Sequence, residues 1–293
     1  MKLASGLIAG QEVLIVVTDR EGREGWTVDQ LAVHYGQNSE HWTMATYLSR
    51  ADAGGLVAEW AARADHDHLP TVGDWGVMAP VSQSGKILCV GLNYHSHAQE
   101  SKMEVPSTPV LFNKFSSSLV GPGTPVTIPA DAGQIDYEAE LVLVVGKPCR
   151  LVSEEQALDY VAGYCNGNDL SSRTLQFRTS QWLLGKALDG FAPIGPYVVT
   201  PDEIPNPDAL GIRGWRNDEL VQDSNTNRMI FSCRYLVSYL SRYMTLLPGD
   251  LIFTGTPEGV ILGKPDAERQ WLRPGERFTV EIDGLGKLTN GLI

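Results

Sequence analysis

From residue 86 to the end of the chain, short apolar runs of β-type composition recur and are repeatedly cut off by Gly, Pro and Asn. They stand at residues 87–90, 110–112, 141–145, 161–165, 212–215, 251–254 and 278–282, with Pro248-Gly249-Asp250, Pro274-Gly275 and Asp283-Gly284 among the breaks. Few helical patterns separate them. Ser153-Glu154-Glu155-Gln156 has the form of a capping box and predicts a helix through about Tyr160, while Leu236, Leu240 and Tyr243 lie at helical spacing within residues 232–243. Long alternating βαβα units are missing. A doubly wound sheet is therefore disfavoured, and the expected class is α+β, mostly β, a barrel or roll with peripheral helices. Residues 1–80 differ in character: an alternating stretch, Glu12-Val13-Leu14-Ile15-Val16-Val17, precedes an Ala-rich helical pattern over 51–64 and a linker containing Pro and Gly. A small N-terminal α/β domain over 1–80 and a main domain over 81–293 are expected.

With 293 residues the chain can bury a sizeable core. Its net charge of −12 carries no basic block, so a phosphate backbone is repelled on average and nucleic acid is not an expected partner. Apolar runs such as Leu141-Val142-Leu143-Val144-Val145 stop far short of the roughly 18 residues of a spanning helix, and no basic-then-apolar leader opens the sequence. The expectation is a cytoplasmic protein with no membrane partner. Cys89, Cys149, Cys165 and Cys233 form no CxxC pair, which fits a reducing compartment and small core residues. If the substrate is anionic, a local cation must attract it against the field of the whole protein.

The segment that points most directly to chemistry is Asp136-Tyr137-Glu138-Ala139-Glu140, which runs straight into the apolar run at 141–145. On a strand, Glu138 and Glu140 fall on one face about 7 Å apart. Like charges entering a core strand call for a cation, and Asp169, at the end of the run that begins at Val161, offers a third carboxylate. Three carboxylates with water suit octahedral Mg²⁺ or Mn²⁺. Taken alone, the Glu-x-Glu pair reads more readily as a solvated strand face.

A second cluster is Asn93-Tyr94-His95-Ser96-His97-Ala98-Gln99-Glu100. A short helix from about Tyr94 puts His97 and Glu100 at i and i+3, where the carboxylate can orient the imidazole as a general base; His95 falls on another face. An ordinary surface His–Glu contact has the same spacing. Lys186, alone among apolar residues, could bind a carboxylate or an enolate with Asp189 holding it, or lie on a surface loop. Thr254-Gly255-Thr256-Pro257-Glu258-Gly259 offers donors to an anion, or is a tight turn. Asp65-His66-Asp67-His68 looks like a metal tract, but neighbouring side chains of a loop cannot all face one ion.

In their order along the chain these segments resemble the fumarylacetoacetate hydrolase family. The resemblance rests on GxNYxxHxxE at 91–100, DYEAE at 136–140, ND at 168–169, GKxxDGxxPxGP at 185–196, NTxxMIF at 225–231, MTLxPGDxIxTGTPxGV at 244–260 and ExDGxGxLxN at 281–290. It implies a mixed β-roll catalytic domain, a homodimer, and Mg²⁺ or Mn²⁺ as cofactor. By the same resemblance Glu138, Glu140 and Asp169 are metal ligands, His97 with Glu100 activates water, Lys186 is the active-site lysine, and Gln176 and Thr256 contact a small anionic oxo-acid substrate. The implied activity is hydrolysis of a carbon–carbon bond in acylpyruvate-like 1,3-diketo acids. An oxaloacetate-type decarboxylase or a 2-hydroxy-dienoate isomerase is the alternative. Before residue 86 the resemblance has no counterpart.

Overall fold

The computed structural model describes residues 1–19, 22–101 and 103–293. Its main sheet has the hydrogen-bonded order Gly25–Thr27, Gln11–Val17, Lys2–Ile8, Ala192–Val199, Val161–Asn168, Ala139–Val145, Leu251–Phe253, Ile87–Gly91, Val110–Lys114. The sheet is mixed: Leu251–Phe253 runs parallel to Ile87–Gly91 and antiparallel to Ala139–Val145. A second sheet of four antiparallel strands is ordered Glu219–Asn225, Gly211–Arg216, Arg277–Ile282, Lys287–Gly291. Each apolar run picked out in the sequence lies on a strand, and the class is the expected mostly-β mixed fold.

Ala139–Val145 shows why a continuous apolar run belongs at the centre. All seven residues are buried. Alternation sends Ala139, Leu141, Leu143 and Val145 into one core with Ile212, Phe278, Val280 and Ile282 of the second sheet. Val142 and Val144 enter another core with Val28, Leu31, Val57 and Trp60 from the N-terminal helices. The helices Val28–His34 and Ala53–Arg63 thus cover the opposite face of the same sheet. The N-terminal hairpin joins that sheet directly, Lys2 opposite Val199 and Leu3 opposite Val198, so strands from both sides of residue 80 share one hydrogen-bonded ladder.

Helix Cys233–Tyr243 forms as its spacing predicts, with the Ser232 side chain accepting from Tyr235 N. The helix expected from Ser153 does not form. A 3₁₀ turn, Ala157–Tyr160, stands there without a side-chain cap, because the strand that begins at Val161 leaves too few residues to offset helix nucleation. Tyr160 already yields its carbonyl to Gly146 N (2.7 Å), a bond that leads into the sheet. The four cysteines are free and buried. Among the described residues no helix is long and apolar enough to cross a membrane.

Candidate metal centre and active site

Two strand ends meet where the acids lie. Ala139–Val145 and Val161–Asn168 are antiparallel neighbours, with Gly167 opposite Glu140 and Asn168 opposite Ala139. The pairing continues just past both ends: Asp169 N donates to Glu138 O (2.9 Å) and Glu138 N to Asn168 Oδ1 (3.1 Å). Glu138 therefore stands one residue before the strand. Carboxylate oxygens of Glu138, Glu140 and Asp169 all come within 4.8 Å of one another, and all three side chains are buried; no other such group occurs among the described residues. Gly255 N donates to Glu140 Oε2 (2.8 Å) from a backbone with φ of +98°, and a Cβ there would meet Asn93 Cβ at 2.8 Å, so the position requires glycine.

Buried cations answer part of this charge. Lys186 Nζ donates to Glu138 Oε2 (2.9 Å) and Asp169 Oδ2 (2.7 Å). Arg173 reaches Glu138 Oε1 (2.6 Å), holds Asp136 Oδ2 through both Nε (3.0 Å) and Nη2 (2.9 Å), and donates to Gln176 Oε1 (2.8 Å). Burial pushes Glu138 up, but Lys186 and Arg173 outweigh it and hold the carboxyl well below the usual range. Glu140 goes the other way: burial, then the charges of Asp169 and Glu138, raise it well above the ordinary carboxylate value. Lys186 is lowered by burial and raised more strongly by Asp169 and Glu138, so its ammonium form is favoured.

Lys114 completes the shell. Its ammonium donates to the carbonyls of Leu170 (3.1 Å), Phe191 (2.7 Å) and Lys186, which uses its three protons. Its 2.6 Å approach to Asp169 Oδ1 is thus a charge contact, and that oxygen, fully buried, has no hydrogen-bond donor. Four buried carboxylates, Asp136, Glu138, Glu140 and Asp169, face three cations, Lys114, Arg173 and Lys186. An all-oxygen donor set, an acceptor without a donor and an uncompensated negative charge are what a hard divalent cation satisfies, so the residues fit Mg²⁺ or Mn²⁺.

The helix His95–Glu100 carries the second group. His97 Nδ1 lies 2.9 Å from Glu100 Oε1, and Gly259 N donates to Glu100 Oε2 (2.9 Å). Ser96 Oγ bonds Glu258, which fastens the same helix to the 254–259 loop. His97, Glu138, Gln176, Lys186 and Thr256 line one narrow pocket of about 30 Å³. Thr256 Oγ1 accepts from Gln222 Nε2 (2.9 Å), which leaves its own proton for a ligand. His95 is exposed, as its face predicts, and the exposed His68 pairs with Asp65 (3.1 Å).

Asp189 requires a correction. It is exposed, and the acids themselves hold Lys186. Sequence reasoning also passed over Lys114, Arg173 and Asp136. Arg173 stands four residues after Asp169 and Lys114 closes an apolar run, but a lone cation at such a place reads as solvated.

The fumarylacetoacetate (FAA) hydrolase C-terminal family matches residues 86–293, well over half of the chain. The chain belongs to the fumarylacetoacetate hydrolase family. Among members of this family, it is 42% identical over 253 residues to a mitochondrial oxaloacetate tautomerase of Xenopus laevis, covering 85% of this chain and 78% of that protein. The aligned stretch is longer than 86–293 and so includes part of the N-terminal region. Among solved structures, the fumarylacetoacetate hydrolase of psychrophilic Exiguobacterium antarcticum superposes with a TM-score of 0.84 at 32% identity, covering 100% of this chain and 99% of that one. Maleylpyruvate hydrolase from Sphingobium sp. SYK-6, solved with manganese(II) ion and pyruvate, gives 0.79 at 30% identity over 100% and 99%.

Proposed function

We propose that this family member is a divalent-metal-dependent enzyme that works through the enolate of a small 2-oxo acid, with keto–enol tautomerisation of oxaloacetate as its reaction. The observation that carries this reading is that His97, paired with Glu100, and Glu138 of the carboxylate cluster line one narrow pocket. The choice of reaction draws on the relative named an oxaloacetate tautomerase.

Bound Mg²⁺ or Mn²⁺ supplies Lewis-acid charge that lowers the cost of an enolate. The chain's own residues do the rest. With Nδ1–H donated to Glu100, His97 turns its Nε2 lone pair outward as a base. It removes a proton from the carbon next to the keto group and returns it to the enolate oxygen, so the net change is the shift of one proton from carbon to oxygen. Lys186 steadies the developing negative charge, and Gln176 and Thr256 donate to substrate oxygens. A divalent cation also reverses the local excess of carboxylates, which lets an anionic acid enter a protein of net charge −12.

Hydrolysis of acylpyruvates is the second reading, supported by the likeness to maleylpyruvate hydrolase. There His97 takes the proton from water, the hydroxide adds to the distal carbonyl, and the carbon–carbon bond breaks to a carboxylic acid and a pyruvate enolate. Decarboxylation needs enolate stabilisation alone and makes no use of the His97–Glu100 pair. The family resemblance further supports a homodimer.

The deciding assay follows loss of enol oxaloacetate and cleavage of acetylpyruvate, each with Mg²⁺, Mn²⁺ or chelator. Metal-dependent tautomerisation above the buffer rate is expected. Faster acetylpyruvate cleavage would promote the second reading, and no metal-dependent change in either substrate would sink the enolate chemistry itself.

A further inference from the structure

One end of the pocket carries none of the groups assigned so far. Trp182 caps the start of the helix Leu183–Lys186, four residues before the lysine. Its ring meets Phe112 edge-on, centroids 5.6 Å apart at 62°, and Phe112 in turn lies under Lys186 Nζ at 4.9 Å. The aromatic wall therefore begins immediately beside the lysine. It is seated on Gly91: a Cβ at that position would lie 2.6 Å from Trp182 Cζ3 and 3.1 Å from Cη2, so only a glycine lets the indole lie where it does. Met103 and Phe177, partly exposed, stand at the same pocket.

On the enolate reading, Lys186, Gln176 and Thr256, with a divalent cation that the carboxylate cluster would hold, would anchor a 2-oxo acid by its carboxylate and keto oxygens, which sets the direction in which the rest of the molecule must grow. The rings of Trp182 and Phe112, which line the same pocket, face that remainder with largely apolar surface. From this geometry we infer that Trp182, seated on Gly91, is the specificity-determining residue of the pocket, restricting it to short, unbranched 2-oxo acids and excluding those with bulky distal groups. The inference rests on the enolate reading only for the identity of the ligand class. The same arrangement explains the glycine at the head of the 91–100 segment: it provides room for the indole, where a larger residue would displace the wall.

The experiment separates binding from turnover. Association of 2-oxobutyrate and of phenylpyruvate with the Mn²⁺-loaded full-length protein is measured by calorimetry for wild type, Trp182→Ala, Trp182→Leu and Trp182→Phe. Because even one methylene in an apolar pocket discriminates by roughly 10- to 200-fold, the ratio of phenylpyruvate to 2-oxobutyrate affinity is expected to rise at least about tenfold in Trp182→Ala. Trp182→Leu should rise less, and Trp182→Phe should stay near wild type. An unchanged ratio in Ala and Leu variants, or equal loss of both ligands, overturns the assignment and makes Trp182 a packing residue. A shifted ratio without turnover of any 2-oxo acid upholds the wall and sinks the enolate reading. Turnover with an unchanged ratio does the reverse, and failure of wild type to bind either acid removes both.

Discussion

Glu140→Gln should stabilise the metal-free protein and weaken metal binding, two effects of opposite sign from one neutralised oxygen. Glu140 is buried, and its carboxylate lies within 4.8 Å of oxygens on Glu138 and Asp169. At an effective dielectric of about 20, a like charge at that separation costs about 3.5 kcal/mol. Lys186 already offsets part of the charge on both neighbours, so the net gain is smaller, about 1–4 kcal/mol, as when buried charges give way to neutral side chains of similar volume. A glutamine oxygen can still accept from Gly255 N, and its amide can donate to a neighbouring carboxylate. Because the folded value of Glu140 stands above its unfolded value, the penalty is absent below the ordinary carboxylate range and grows as pH rises through it. Thermal unfolding in chelator should therefore show the variant several degrees more stable at neutral pH, and level with wild type near about pH 4. Manganese should raise the wild-type midpoint strongly and the variant's little, since loss of a direct ligand should exceed the roughly 10- to 100-fold loss typical of an outer partner. A variant less stable than wild type in chelator, or one stabilised equally by manganese, would refute the charge argument.

Three further outcomes follow from the same geometry. His97→Ala should bind Mn²⁺ as wild type does by paramagnetic resonance while turnover falls about 10²- to 10⁴-fold; a matching loss of metal would place the histidine among the ligands. Lys186→Met removes the cation 2.9 Å from Glu138 and 2.7 Å from Asp169, so Mn²⁺ affinity by calorimetry should hold or rise while 2-oxo acid binding falls, and weaker Mn²⁺ binding would contradict the competition. Light scattering should give a mass near twice the 32.0 kDa of one chain, and a mass near one chain would end the homodimer proposal.

The sequence by itself determined what near neighbours decide. Short apolar runs cut off by Gly, Pro and Asn marked the strands, the spacing of Leu236, Leu240 and Tyr243 marked the helix Cys233–Tyr243, and the spacings at 97–100 and 138–140 put paired groups side by side. Only the tertiary structure decided which distant groups complete them. Lys186 reaches Glu138 across 48 residues and Arg173 reaches Asp136 across 37, while Lys114 spends its protons on carbonyls up to 77 residues away. The N-terminal hairpin finds its partner strand at Ala192–Val199, and the run after Ser153 abandons its helical signal to enter a strand. The physical reason is the same in each case. Local spacing follows from the fixed geometry of the backbone, whereas whether a lone lysine or arginine lies in water or among buried carboxylates depends on which strands close around it.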